Sequence, residues 1–355
     1  MTTTPSKTVI RTLPKVDLHS HIDGSVAPKE LFRIAAESRR KLRTLDGADI
    51  DSVTAFMRYI EGDGYTSLLE TVVDRFFPIT DLMQTEQTIR EVGVSYIKGQ
   101  SEDSVAYVEG RFAPQYHTRE GLSLDTVIRS MAEGLAEGGE RYGVGTSLIL
   151  AIGRESPPAL GADVARAAVA SRRAVAIDLG GPEVGNPPDK FRDAFRLAAT
   201  SGMKLTVHAG EGAGSREKNL EYMEAAINTL GANRIGHAID VAGDERLLEL
   251  VRAKSVALEM NPVSNLVLGK IRDLRDLGVG RLLEAGINAS LNSDDPALWP
   301  GGSLSDVFYE TCKAYMFGME ELDKLTENAI AAAFCPDHVK ESLLEKYRNA
   351  RRRLA

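Results

Sequence analysis

Eight short runs rich in Val, Ile and Leu punctuate this chain, at residues 15–23, 104–112, 145–153, 174–181, 204–211, 234–240, 255–262 and 288–296. Longer stretches of helical periodicity separate them. The runs are near-continuous in apolar character rather than alternating, the pattern of strands covered on both faces. Parallel strands need crossover connections, and helices expected at 188–201, 217–230, 244–253 and 274–285 supply them. Eight such units predict an α/β fold, a (β/α)8 TIM barrel, with an open doubly wound sheet as the alternative. The 355 residues suit one barrel.

One interval breaks the rhythm. About eighty residues lie between the first two runs, with helical periodicity at 29–40, 52–59, 65–77 and 86–99. This helical insertion, about 27–103, is expected to sit as a lid over the C-terminal mouth of the barrel, where βα loops emerge. Residues 1–10 are expected as a flexible N-terminus and 11–355 as a single domain.

Charge and composition exclude several partners. Forty-three basic against fifty-one acidic side chains give a net charge of -8, which disfavours a polyanionic nucleic acid. The basic run "KYRNARRRLA" reads as the end of a helix, where it complements the dipole. Two cysteines, Cys312 and Cys335, are too few for a disulfide framework. The start "MTTTPSKTVIRTLPK" lacks a secretory h-region, and no window reaches the length of a membrane span. A cytoplasmic location without a membrane partner is expected.

The chemistry concentrates at strand ends. His19 and His21 stand one residue apart, so on a strand both imidazoles face one side and can grip a single cation. His208 ends "LTVHAGE", His237 ends "RIGHAID", and Asp294 with Asp295 ends "SLNSDDP". Four of the six histidines thus lie where a closed barrel brings all strand ends to one mouth. Three neutral imidazoles and a carboxylate suit zinc with an open position for water. Taken singly, either aspartate could be a capping acid before Pro296.

Glu211, three residues after His208, is a solvated or capping acid by itself and a proton donor and acceptor beside a cation in a closed pocket. The glycines of "GEGAGS" lack the Lys of a phosphate loop, and "DLGG" at 178–181 allows either close approach of a ligand or a tight turn. His117 has no companion at metal spacing and reads as a surface or loop residue, and His338 as part of a helix start.

These motifs resemble the adenosine deaminase family of zinc aminohydrolases, within the amidohydrolase superfamily. "PKVDLHSHIDGS", "HAGEGAG", "RIGHA" and "SLNSDDP" occur in the family's order and near its spacing, from Pro14 to about Trp299. The resemblance implies one zinc per subunit on His19, His21, His208 and Asp294. It implies further that His237 orients and deprotonates a zinc-activated water and that Glu211 protonates N1 of the purine. Asp295 would meet N7, the Gly181 amide N3, and Asp23 the ribose 5'-hydroxyl.

The implied reaction is hydrolytic deamination of the 6-amino group of adenosine or a related adenine nucleoside, with water as co-substrate and ammonia released. The chain departs from the family's usual pattern at Asn261, where many members carry cysteine, at Ala238, where glycine commonly follows the histidine, and at Pro182, where an acid is usual. Relatives acting on free adenine tend to carry Glu at the Asp23 position, so the aspartate favours a nucleoside. A modified nucleoside such as aminodeoxyfutalosine, or free adenine, is the alternative substrate. Hydrolysis of an amide or ester and a non-catalytic nucleoside-binding protein are the competing readings; the first gives Glu211 little to do, and the second would have shed a ligand.

Overall fold

Burial on both faces turns the apolar runs into strands. Val105–Phe112 is buried at every position, and Leu148, Leu150 and Ile152 of the next run are at most 2% exposed. The computed structural model describes residues 4–354. Its parallel strands are β1 (Lys15–His21), β2 (Val105–Phe112), β3 (Gly145–Gly153), β4 (Ala174–Gly180), β5 (Lys204–Ala209), β6 (Arg234–His237), β7 (Ala257–Met260) and β8 (Ala289–Leu291). They pair in chain order as one eight-stranded sheet, with helices between successive strands, a (β/α)8 barrel.

Local chemistry marks the helix ends. The helix Leu124–Tyr142 starts where the Ser123 side chain accepts from the Thr126 amide, and stops at Gly143, whose φ of 70° is the left-handed cap glycine takes readily.

The barrel closes between β1 and β8, and it closes at the candidate site. The His21 amide donates to the Asp294 carbonyl at 2.8 Å, and the Asp294 amide to the His19 carbonyl at 2.9 Å. Because β8 is only three residues long, side chains stitch the rest of the seam. Asn292 Oδ1 accepts from the Leu18 amide at 3.0 Å, and Ser293 Oγ donates to Asp17 at 2.5 Å. The segment that completes the sheet is therefore the one that carries His19, His21 and Asp294.

Four expectations need correction. The segment expected to be flexible holds a helix, Lys7–Thr12, capped by Ser6, and its Ile10 is buried in the main core; residues 1–3 lie outside the described part. The insertion is not purely helical: Leu42–Arg43 and Asp49–Ile50 form an antiparallel hairpin whose turn includes Gly47. Two-residue strands leave no readable periodicity. The helix expected over 65–77 is broken into two 3-10 turns and the short helix Val72–Arg75, and Pro78 opens the next helix, Phe77–Leu82. His117 is buried rather than on the surface, with Nδ1 3.2 Å from the Met83 carbonyl and its ring 5.4 Å from that of Phe112. Among the described residues, no helix is long and apolar enough to cross a membrane.

Candidate active site

Alternation along β1 turns the side chains of His19 and His21 to the same side, inward at the barrel mouth. His208 at the end of β5 and Asp294 just after β8 meet them there: one ligand atom from each of the four lies within 4.8 Å of all the others. Nε2 of His21 is 3.1 Å from Nε2 of His208, and Asp294 Oδ1 is 3.4 Å from Nε2 of both His19 and His21.

Carboxylates behind the rings set the tautomers. His19 Nδ1 lies 2.7 Å from Glu259 Oε2, and His208 Nδ1 3.1 Å from Asp178 Oδ1. An ionised carboxylate only accepts, so both Nδ1 atoms carry the proton and both Nε2 lone pairs point into the cluster. His19 Nε2 is buried and has no hydrogen-bond partner. Converging lone pairs with a carboxylate oxygen among them fit a divalent cation of zinc type.

Arg111 holds the two carboxylates together. Its Nη1 is 2.9 Å from Asp178 and its Nη2 2.9 Å from Glu259, all three side chains fully buried. Arg234 reaches the other oxygen of Glu259 at 2.5 Å. Burial alone would raise both carboxyls. His208 and Arg111 outweigh it at Asp178, and Arg111 with Arg234 outweighs it at Glu259, so both stay well below the ordinary range.

The remaining groups surround this cluster. Glu211 is buried, with Oε1 3.7 Å from Nε2 of His237. Burial, reinforced by the charges of Asp294 and Glu183, pushes its carboxyl well above the usual range, which favours the protonated form. Asn265 Nδ2 lies 2.9 Å from His237 Nδ1, and Ser264 Oγ donates to Asp294 Oδ2 at 2.6 Å. His237 and Asp294 both adopt left-handed backbone, φ 67° and 63°, a strain typical of functional sites. Gly236 is required by packing: a Cβ there would lie 2.5 Å from Cε1 of His19.

Asp23 and Asp295 complete the arrangement. Both are buried at the carboxylate, and Oδ1 of each has no hydrogen-bond partner. A Cβ on Gly24 would fall 1.7 Å from Asp295 Oδ1, so the glycine of "IDGS" is what admits that carboxylate. Burial raises Asp23 to about 6, and burial with the charges of Asp294 and Asp23 raises Asp295 well above its usual range.

Apart from His19, every site residue expected from the sequence lines one cavity of about 400 Å³: His21, Asp23, Gly181, His208, Glu211, His237, Asp294 and Asp295. The insertion roofs it with Leu68, Leu69, Val72, Phe76 and Phe77. The glycine-rich stretch after Glu211 does not cradle phosphate, because the Gly212 amide donates to Glu183 and the Ala213 amide to Asn219.

Sequence reasoning passed over Arg111, Asp178, Glu259, Ser264 and Asn265. A signal existed for three of them. A strand buried on both faces has no solvated side for a charge, so Arg111, Asp178 and Glu259 inside apolar runs had to be paired.

A sequence model of the adenosine deaminase family matches residues 14–350. The chain belongs to that family. An adenine deaminase of Cupriavidus metallidurans is 32% identical over 336 residues, covering 94% of this chain and 90% of its own length. An adenosine deaminase of Enterococcus faecalis is 33% identical over 340 residues, covering 95% of this chain and 96% of its own. The crystal structure of an adenine deaminase from Arthrobacter aurescens superposes with a TM-score of 0.82 at 30% identity, covering 95% of this chain and 98% of the other. The superposition shows a shared barrel with the Arthrobacter protein, and the family assignment makes this chain an aminohydrolase.

Proposed function

We propose that this enzyme hydrolyses the 6-amino group of an adenine nucleoside, releasing ammonia and an inosine-type product. The observation that carries the reading is the placement over one cavity of a four-donor His/Asp cluster and a carboxyl, Glu211, that its surroundings keep protonated. His19, His21, His208 and Asp294 would hold zinc. That ion, when bound, lowers the pKa of water from about 16 to roughly 7 and so makes a nucleophile available at neutral pH.

The chain's own residues supply the rest. Glu211 donates its proton to N1 of the purine, which makes C6 electrophilic as water adds. His237 faces the cavity through Nε2 and orients the attacking water. It takes up the water's proton when Nδ1 carries the ring hydrogen and the Asn265 carboxamide turns over to present Oδ1, an atom without other partners, in place of the Nδ2 that stands 2.9 Å from Nδ1. Asp295, with Oδ1 unpartnered and its carboxyl kept protonated, donates a hydrogen bond to N7. Gly181, φ 96°, presents backbone rather than a side chain to N3.

Asp23 favours a nucleoside over the free base, because its unpartnered Oδ1 suits a ribose hydroxyl and a base alone would leave it unused. Asp23→Ala is expected to raise KM for adenosine about 10- to 100-fold, the loss of a hydrogen bond to a charged group, with a much smaller change for adenine. Steady-state kinetics on both substrates checks this; equal losses would refute a sugar contact.

A second reading, a nucleoside enlarged at the 5' position such as aminodeoxyfutalosine, is favoured by one feature. The outer wall of the cavity, from Leu45 through Leu68 and Val72 to Phe77, is apolar and larger than a ribose hydroxyl requires. Ammonia release across adenine, adenosine, deoxyadenosine, methylthioadenosine and aminofutalosine, alongside the metal content of the purified protein, tests both readings. A protein that binds zinc yet releases ammonia from none of them would defeat the proposal.

A further inference from the structure

Next to Gly153 and Gly181, which line the cavity, lies a buried ion pair to which the reaction assigns nothing. Glu183, in the loop after β4, and Arg154, in the loop after β3, are both fully buried, with Arg154 Nη2 3.5 Å from Glu183 Oε1. Glu183 Oε2 accepts from the Gly212 amide at 3.1 Å, and the neighbouring amides of Glu211 and Gly210 favour the charged form of this carboxylate. Arg154 in turn donates to the carbonyl of His208, and to that of Asn186 at 3.0 Å. Lys190 Nζ closes the set on the Arg154 carbonyl at 2.8 Å.

The pair thus ties the loops after β3 and β4 to one segment of the third, 208–212. That segment begins with a cluster histidine and carries Glu211 near its end. Glu211 is flanked by Gly210 and Gly212, and Gly210 has a φ of 74°. Glycines offer no side chain for packing and restrict the backbone least. On the carbonyl side the Ile239 amide donates to Gly210 at 3.0 Å; on the other side of Glu211 the turn is held by the Gly212 amide, which donates to Glu183.

We propose that Glu183, braced by Arg154, is a positioning residue for Glu211: one buried carboxylate gathers the amides of the glycine-flanked turn and aims the proton donor at the ring nitrogen. This rests on the reading of Glu211 as that donor. Misplacing a reacting group by about 1 Å can cost on the order of 100-fold in rate, so the effect falls on kcat. KM changes much less, because Glu183 and Arg154 do not themselves line the cavity.

Removing Glu183 alone leaves a buried unpaired guanidinium, so two variants are needed. Glu183→Gln keeps the shape and one acceptor. The double variant Glu183→Leu/Arg154→Met removes both charges together. The expected results are a kcat lowered about 10-fold in the first and about 100-fold or more in the second, with KM within about threefold of wild type. Zinc content should be unchanged, and Glu211 displaced in the crystal structure of the double variant. A merely structural pair predicts instead that kcat recovers together with melting temperature once both charges are gone. A kcat within threefold of wild type in a folded double variant, or Glu211 unmoved in its crystal structure, overturns the proposal. If the wild-type enzyme releases no ammonia from any adenine compound, the deamination reading fails, and the position of Glu211 in the variant still decides this one.

Discussion

Replacing Glu211 by glutamine lowers kcat by about 10²- to 10⁴-fold, the range typical for loss of a positioned general acid, and leaves the metal content unchanged. Glutamine matches the volume of glutamic acid and can still offer a hydrogen bond to the ring nitrogen, but it has no proton to transfer. The role needs a protonated carboxyl, and the surroundings favour one: Glu211 is buried, and the negative charges of Asp294 and Glu183 disfavour ionisation further. The sign of the pH dependence follows. A carboxyl with a raised pKa acts as a donor below that pKa and stops above it, so the wild-type rate falls on the alkaline side, and Glu211→Gln removes that limb. Ammonia release as a function of pH, with metal analysis of both proteins, measures both effects. Near-normal turnover in the variant would reject the role.

Arg111→Met strikes the structure beneath the site. Its guanidinium sits between the carboxylates of Asp178 and Glu259, which face each other across the barrel interior with no access to solvent. Breaking a buried pair by removing one partner typically costs about 3–5 kcal/mol, because the charge left behind is uncompensated. The same two carboxylates hold Nδ1 of His19 and His208, so the rings lose their orientation as well. Metal affinity is expected to fall about 10- to 100-fold, as for other outer partners of ligating histidines. Arg111→Lys keeps the charge without the planar fork and should land between the two. Denaturant unfolding and a chelator competition titration are the measurements; a Met variant with wild-type stability and wild-type metal affinity would contradict the assignment.

The departures noted in the sequence acquire positions but not equal weight. Asn261 lies beneath His237, its Nδ2 3.3 Å from both ring nitrogens, so a carboxamide takes a place in the layer that supports the proton-handling histidine. Pro182 stands between Gly181, which faces the cavity, and Glu183, which is turned away from it toward Arg154. The acid that matters in this loop is therefore one residue further on than the substituted position.

Apolar runs and helical periodicity by themselves determined a parallel α/β fold of eight units and favoured a barrel over an open sheet, because doubly buried runs and helical crossovers are local patterns. They also determined the candidate donors: His19, His21, His208, His237 and Asp294 stand at strand ends, and a closed barrel gathers strand ends at one mouth. What only the tertiary structure decided was everything that depends on pairing between distant strands. Arg111, Asp178 and Glu259 come from β2, β4 and β7 and form one charge-compensated layer beneath the histidines. The glycine-flanked turn at Glu211 takes its direction from Glu183, on a different loop. The burial of Ile10 and His117 and the hairpin in the insertion belong to the same class. A local pattern reports which way a side chain leaves its own strand or helix; the partner that satisfies a buried charge or fixes a loop is set by long-range closure of the chain.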